Sequence, residues 1–228
     1  MRGESALRQE IIDLCLEMNR SGLNQGTSGN ISARVGDAML LTPSATPYDQ
    51  MTPEMIVRMP LDGEDGDWSG PLKPSTEWRF HRDILRARPD AGAIVHAHST
   101  FATTIAITRR SIPACHYMVA AFGGNDVKCC GYARYGTAEL SARVLEALSD
   151  RSACLMANHG MVALGGDLDQ AMWRAVELET LAKQYHHSLQ IEGGPVILSD
   201  AEIGEVLKGF ASYGRQSKPS TTSPGETD

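Results

Sequence analysis

His96-Ala97-His98 is the segment whose residue types and spacing most invite chemistry. On a strand, the two-residue period puts both imidazoles on one face, with anchors roughly 7 Å apart at ~3.3 Å per residue. Both rings can then reach one ion, although the pair also fits two histidines satisfied by hydrogen bonds on a sheet face. A third histidine, His159, sits between Asn158 and Gly160 at a tight turn. Catalytic zinc takes three protein ligands and leaves a position open, whereas a structural site closes on four. Three histidines without a compact cysteine pattern suit the open kind.

Glu77 follows Ser75 and Thr76, where Pro74-Ser-Thr-Glu reads as a helix start. One account makes Ser75 or Thr76 the cap, with Glu77 interacting favourably with the helix dipole. A second account uses the same unpaired N–H groups and hydroxyls as a cradle for phosphate, with the carboxylate beside it as base or metal ligand. Thr27-Ser28-Gly29-Asn30 and Thr42-Pro43-Ser44-Ala45 are two more polar turns through which backbone N–H groups can approach an anion. Each also fits an ordinary turn.

The elements that must position these residues are legible from periodicity and punctuation. Apolar residues at helical spacing predict a helix over 5–21, stopped by Gly22. Short strands are expected at 30–35, 38–42 and 55–60, then a helix from Ser75 to Arg88 before Pro89. Strand 93–98, helix 99–108 and a strand near 112–118 follow, then a helix over 137–148. Paired strands at 154–157 and 161–164 flank the Asn158-His159-Gly160 turn. A long helix over 168–190 and a last helix opened by the Ser199…Glu202 capping box complete the pattern.

Composition bounds the rest. The 228 residues fit one α/β domain, expected over 1–214, with a Ser/Thr/Pro-rich disordered tail over 215–228. A chain this long buries a core without disulfides or a structural metal, so a metal here would serve chemistry. The net charge of −7, with no basic run longer than Arg109–Arg110, carries no nucleic-acid footprint. Five cysteines without framework spacing read as reduced thiols of a cytoplasmic protein. Arg2, Glu4, Arg8 and Glu10 are unlike a signal peptide, and His96 and His98 interrupt the uncharged stretch 91–108 as they would not in a membrane span.

In order along the chain, Gly22-Leu-Asn-Gln-Gly-Thr-Ser-Gly-Asn-Ile-Ser, Leu41-Thr-Pro-Ser, Pro74-Ser-Thr-Glu-Trp-Arg-Phe-His, Val95-His-Ala-His, Ile112-Pro-Ala-Cys-His-Tyr-Met and Asn158-His-Gly resemble the class II aldolase/adducin family, in its fuculose-1-phosphate-aldolase-like branch. The resemblance covers roughly residues 5–214. It implies a three-layer α/β/α sandwich around a central, mainly antiparallel sheet. It further implies one Zn2+ per subunit on His96, His98 and His159, with Glu77 as a fourth ligand that leaves to become the acid/base. Phosphate would be held by Gly29, Asn30, Ser44, the Ala45 backbone, Ser75 and Thr76. Tyr117 would reach a neighbouring subunit's site in a homotetramer and serve as the second catalytic group, and Tyr213 would close over the substrate.

Two positions depart from the branch. Ala45 stands where glycine is common and is strained if the turn needs a positive φ. Tyr135 replaces a phenylalanine near the aldehyde pocket. The activity implied is zinc-dependent cleavage of a ketose 1-phosphate to dihydroxyacetone phosphate and an aldehyde. Fuculose, 5-deoxyribulose and 5-methylthioribulose 1-phosphates are the expected substrates. Pentulose-5-phosphate 4-epimerases and sugar-phosphate decarboxylases or dehydratases share the metal site and remain alternatives; a non-enzymatic adducin-like module is disfavoured, because it would have no reason to keep Glu77 with all three histidines. A Schiff-base route is disfavoured, because none of Lys73, Lys128, Lys183, Lys208 and Lys218 lies in an apolar strand-like run.

Overall fold

The computed structural model describes residues 3–210. Helix α1 (Glu4–Ser21) turns its Ile11, Cys15 and Met18 inward and ends at Gly22, whose φ of 76° lets its N–H bond the Asn19 carbonyl. Strands β1 (Asn30–Val35), β2 (Ala38–Leu41) and β3 (Val57–Pro60) form an antiparallel meander. Helix α2 (Trp78–Ala87) leads to β4 (Ala93–Ala97), which pairs antiparallel with β1, and α3 (Thr100–Ile107) follows. Three two-residue strands come next, β5 (Ile112–Pro113), β6 (Asp126–Val127) and β7 (Cys129–Cys130). Helix α4 (Ala138–Ala147), the hairpin β8 (Ala153–Met156) and β9 (Gly160–Gly165), α5 (Leu168–Ser188) and α6 (Asp200–Phe210) complete the described chain.

The main sheet has seven strands in the order β3-β2-β1-β4-β9-β8-β7 and is antiparallel except for the β7–β8 pair. Strand alternation divides its side chains between two cores. Val95, Ala97, Leu155, Met161 and Ala163 pack under α1, α3, α5 and α6, while Ile94, Cys154, Met156, Val162 and Leu164 pack under α2 and α4. The expected three layers are present. His96 shares the α2 face with Ile94, two residues before it.

Three elements depart from expectation. The 112–118 strand is only Ile112–Pro113, because the His116 side chain accepts from Met118 N at 3.2 Å and starts a 3-10 turn, Tyr117–Phe122, closed by Gly123 at φ 95°. Helix α2 begins at Trp78, since Ser75 and Glu77 form a turn in which the Ser75 carbonyl accepts from Trp78 N. Residues 53–55 form a 3-10 turn on Pro53, which delays β3 to Val57. The Ser199–Glu202 capping box is present in both directions, with Glu202 Oε2 accepting from Ser199 N and Ser199 Oγ accepting from Glu202 N. Tyr213 and the expected tail lie outside the described residues.

Candidate metal centre and cleft

His96 lies on β4, and His98 stands just past that strand's end on the same face. His159 is carried in by the β8–β9 turn, where Asn158 takes φ 54° and donates its N–H to the Ala106 carbonyl. That left-handed conformation is one asparagine tolerates better than most residues. Gly160 follows because a Cβ there would stand 2.6 Å from the Ala97 carbonyl oxygen. Glu77 comes from the turn that opens α2. One ligand atom from each of Glu77, His96, His98 and His159 lies within 4.8 Å of all the others.

The tautomers show what this cluster fits. The Met161 carbonyl, which only accepts, stands 2.9 Å from His96 Nδ1, so that nitrogen carries the proton in the neutral ring. His96 Nε2 is then a lone pair, yet it faces Glu77 Oε2 at 3.1 Å and His98 Nε2 at 3.1 Å. Glu77 Oε1 stands 3.0 Å from His159 Nε2 and accepts no well-aligned hydrogen bond, although it is buried. Acceptors converging on acceptors are repulsive unless a cation lies between them. Ligand atoms about 2.0–2.1 Å from a tetrahedral zinc would be spaced about 3.3–3.4 Å apart, near the 3.0–3.1 Å of the Glu77–His96, His96–His98 and Glu77–His159 pairs. The residues present therefore fit a metal ion.

The same groups bias one another's protonation. Burial would raise the Glu77 carboxyl, but His96 and His159 outweigh it and hold the group well below the usual carboxylate range. Burial pushes His98 down to about 4, with His96 and His159 adding to the effect, so it is a ready neutral ligand. Burial also opposes charge on His96, but the Glu77 carboxylate prevails and raises it.

A cleft of about 420 Å³ opens over the cluster. Thr27, Ser28, Gly29, Asn30, Ser44, Ala45, Ser75 and Thr76 line it, together with Tyr132, Ala133, Tyr135 and Asn158. Every expected site residue within the described chain lies in the cleft or directly beneath it, except Tyr117. Tyr117 is half exposed, packs against His116 with ring centroids 4.7 Å apart and the planes tilted by 33°, and lines a separate groove with Met118 and Phe210. Backbone N–H groups of Ser44 and Ser75 already bond the Lys73 and Thr42 carbonyls, so these serines offer hydroxyls to the cleft. Ala45 has a φ of 52°, the strained conformation anticipated for it.

Some contributors were not singled out by the sequence. Buried Asn24 accepts through Oδ1 from His98 N and from Ser28 Oγ, tying the polar loop to the histidine cluster. A Cβ on Gly29 would stand 2.8 Å from the His96 carbonyl oxygen, so that loop closes on β4 only with glycine. A lone Asn in a turn resembles any turn residue, and Tyr132 carries no spacing signal.

The model of the class II aldolase and adducin N-terminal domain matches residues 9–186. A 5-methylthioribulose-1-phosphate/5-deoxyribulose-1-phosphate aldolase of Rhodospirillum rubrum is 50% identical over 92% of this chain and 93% of its own. The L-fuculose phosphate aldolase of Escherichia coli is 49% identical over 91% and 95% respectively. A solved L-fuculose 1-phosphate aldolase superposes with a TM-score of 0.87 at 36% identity, covering 92% of this chain and 98% of that one. With the sandwich, the four converging ligands and these likenesses in place, the chain belongs to the class II aldolase/adducin family.

Proposed function

We propose that this protein is a zinc-dependent aldolase that splits a ketose 1-phosphate into dihydroxyacetone phosphate and an aldehyde. The carrying observation is the Glu77/His96/His98/His159 cluster at the floor of a cleft whose lining is rich in hydroxyls. Relatives at about half identity, named as aldolases of ketose 1-phosphates, support the same reading. Three imidazoles and a carboxylate suit zinc, which would supply Lewis-acid stabilisation of the charge that builds on the ketone oxygen.

The chain's own groups account for the remainder. Gly29, Asn30, Ser44, the Ala45 backbone, Ser75 and Thr76 hold the phosphate, in a cleft that Thr27 and Ser28 also line. Loss of the C4 hydroxyl proton lets the C3–C4 bond break and leaves an enediolate. Glu77 gives that enediolate its proton at C3, or removes it in the reverse direction. Tyr132 and Tyr135 line the end where the aldehyde departs. Tyr117, exposed and outside its own chain's cleft, exchanges a proton with the aldehyde oxygen in a neighbouring subunit of a homotetramer.

The five free cysteines fit a reducing cytoplasm, and no helix among the described residues is long and apolar enough to cross a membrane. A panel of fuculose, 5-deoxyribulose and 5-methylthioribulose 1-phosphates, assayed for dihydroxyacetone phosphate, tests the proposal. Release from one or more members supports it and names the preferred aldehyde. Release from none contradicts it and favours an epimerase or decarboxylase.

A further inference from the structure

Four buried polar side chains form a continuous row that ends at the metal cluster. Ser32 Oγ lies 2.7 Å from His81 Nδ1, His81 Nε2 lies 2.5 Å from Asn30 Oδ1, and Asn30 Nδ2 lies 2.9 Å from Glu77 Oε2. Ser32 and His81 are fully buried, while Asn30 and Glu77 are 4% and 6% exposed. Ser32 and Asn30 alternate on β1 and so face the same side, and His81 follows Glu77 by one turn of α2.

The direction of every hydrogen bond follows by elimination. Glu77, as a carboxylate, only accepts, so Asn30 must present its N–H to it and turn Oδ1 toward His81. That oxygen also only accepts, so His81 Nε2 carries the proton. A neutral imidazole has one N–H, which leaves Nδ1 as a lone pair and makes the Ser32 hydroxyl the donor. Burial, aided by His96, pushes His81 down to about 3 and keeps it neutral at physiological pH.

We infer that His81 is a positioning residue for the proton-transferring carboxylate: its Nε2–H locks the Asn30 amide, and the locked amide holds Glu77 Oε2. Without the lock, an amide flip would set Asn30 Oδ1 against the carboxylate, acceptor against acceptor. With it, one Asn30 N–H serves Glu77 and the other remains for a substrate oxygen in the cleft that Asn30 lines. Outer partners of this kind hold site groups in their working orientation. The inference rests on Glu77 being the acid/base.

The test is exchange of solvent deuterium into dihydroxyacetone phosphate at saturating zinc, which reads the Glu77 proton transfer without needing an aldehyde. His81→Phe keeps ring bulk beside Phe80 but has no donor, and His81→Gln returns a donor near the Nε2 position. The Phe variant, with metal content unchanged, is expected to lose roughly 10–100-fold in exchange and kcat. Its KM should change little, and Gln should restore most of the loss. Adding His81→Phe to Asn30→Ala should cost nothing further, since both act through one contact.

Wild-type exchange in the Phe variant overturns the inference, as does equal loss in both His81 variants or full additivity with Asn30→Ala. Should the Phe variant not fold, Ser32→Ala makes the same test by releasing His81 Nδ1. Severalfold slower exchange is then expected, and an unchanged rate overturns the inference. A wild-type protein that exchanges no deuterium removes the aldolase reading itself, and this inference with it.

Discussion

Asn30 and His96 stand directly opposite each other on β1 and β4, and both reach the same oxygen, Glu77 Oε2, at 2.9 and 3.1 Å. The pairing is a consequence of strand register. A one-residue slip would turn Asn30 to the other face and leave the carboxylate with histidines alone. Two neighbouring strands thus supply the imidazole and the amide that meet this carboxylate, and the turn before α2 delivers Glu77 to both.

Glu77→Gln is therefore expected to separate binding from proton transfer. Three imidazoles remain to hold the metal, so metal content should be retained while kcat falls by about 10²–10⁴-fold. Elemental analysis and steady-state kinetics on one preparation check this. A kcat near that of the wild type would exclude Glu77 as the acid/base.

Tyr117→Phe tests the assignment that lies outside the cleft. Cleavage should fall by about 10²-fold or more, while deuterium exchange into dihydroxyacetone phosphate continues, because exchange does not use the aldehyde oxygen. Parallel loss of both would show that Tyr117 does not act at that oxygen.

Ala45 carries left-handed strain at φ 52°. Such a conformation costs about 1–2 kcal/mol for a residue with a Cβ, against about 0.4–1 kcal/mol of extra unfolded-state entropy for glycine. Ala45→Gly should stabilise the protein by up to about 1.5 kcal/mol in urea unfolding. Destabilisation would mean that the alanine methyl group makes a compensating contact.

Stability of the metal-free protein should fall as pH drops below about 6.5. Burial lowers His81 to about 3 and His98 to about 4 from an ordinary 6.5, so the unfolded chain binds protons there that the folded chain refuses. His96 acts oppositely. Its raised value makes a contribution that is present below 6.5 and lost as pH rises through the folded value. Glu77, held well below the usual carboxylate range, adds to the loss at lower pH, and His81→Gln should flatten the acid limb. Urea titrations across the acid range check this, and an unchanged slope in His81→Gln would contradict it.

Much of the site was legible because its geometry is local. The His96-Ala97-His98 alternation needs only a strand, and Asn158-His159-Gly160 needs only a turn. The remainder depends on contacts distant in sequence. His81 reads as an ordinary helix-packing residue until β1 brings Asn30 and Ser32 beside it, and Asn24 is an anonymous turn residue until His98 N reaches it. Residues 112–118 read as a strand because their apolar character suits one, but the His116 side chain bonds Met118 N and bends the chain instead. The two-residue edge strand β7 is too short for any periodicity to register.

The most direct test strips the metal with a chelator, restores zinc to half the sample, and follows dihydroxyacetone phosphate released from the best ketose 1-phosphate. Activity absent from the stripped enzyme, and returning in proportion to zinc bound up to one ion per chain, is the predicted result. Full activity in protein shown by elemental analysis to be metal-free would contradict the account.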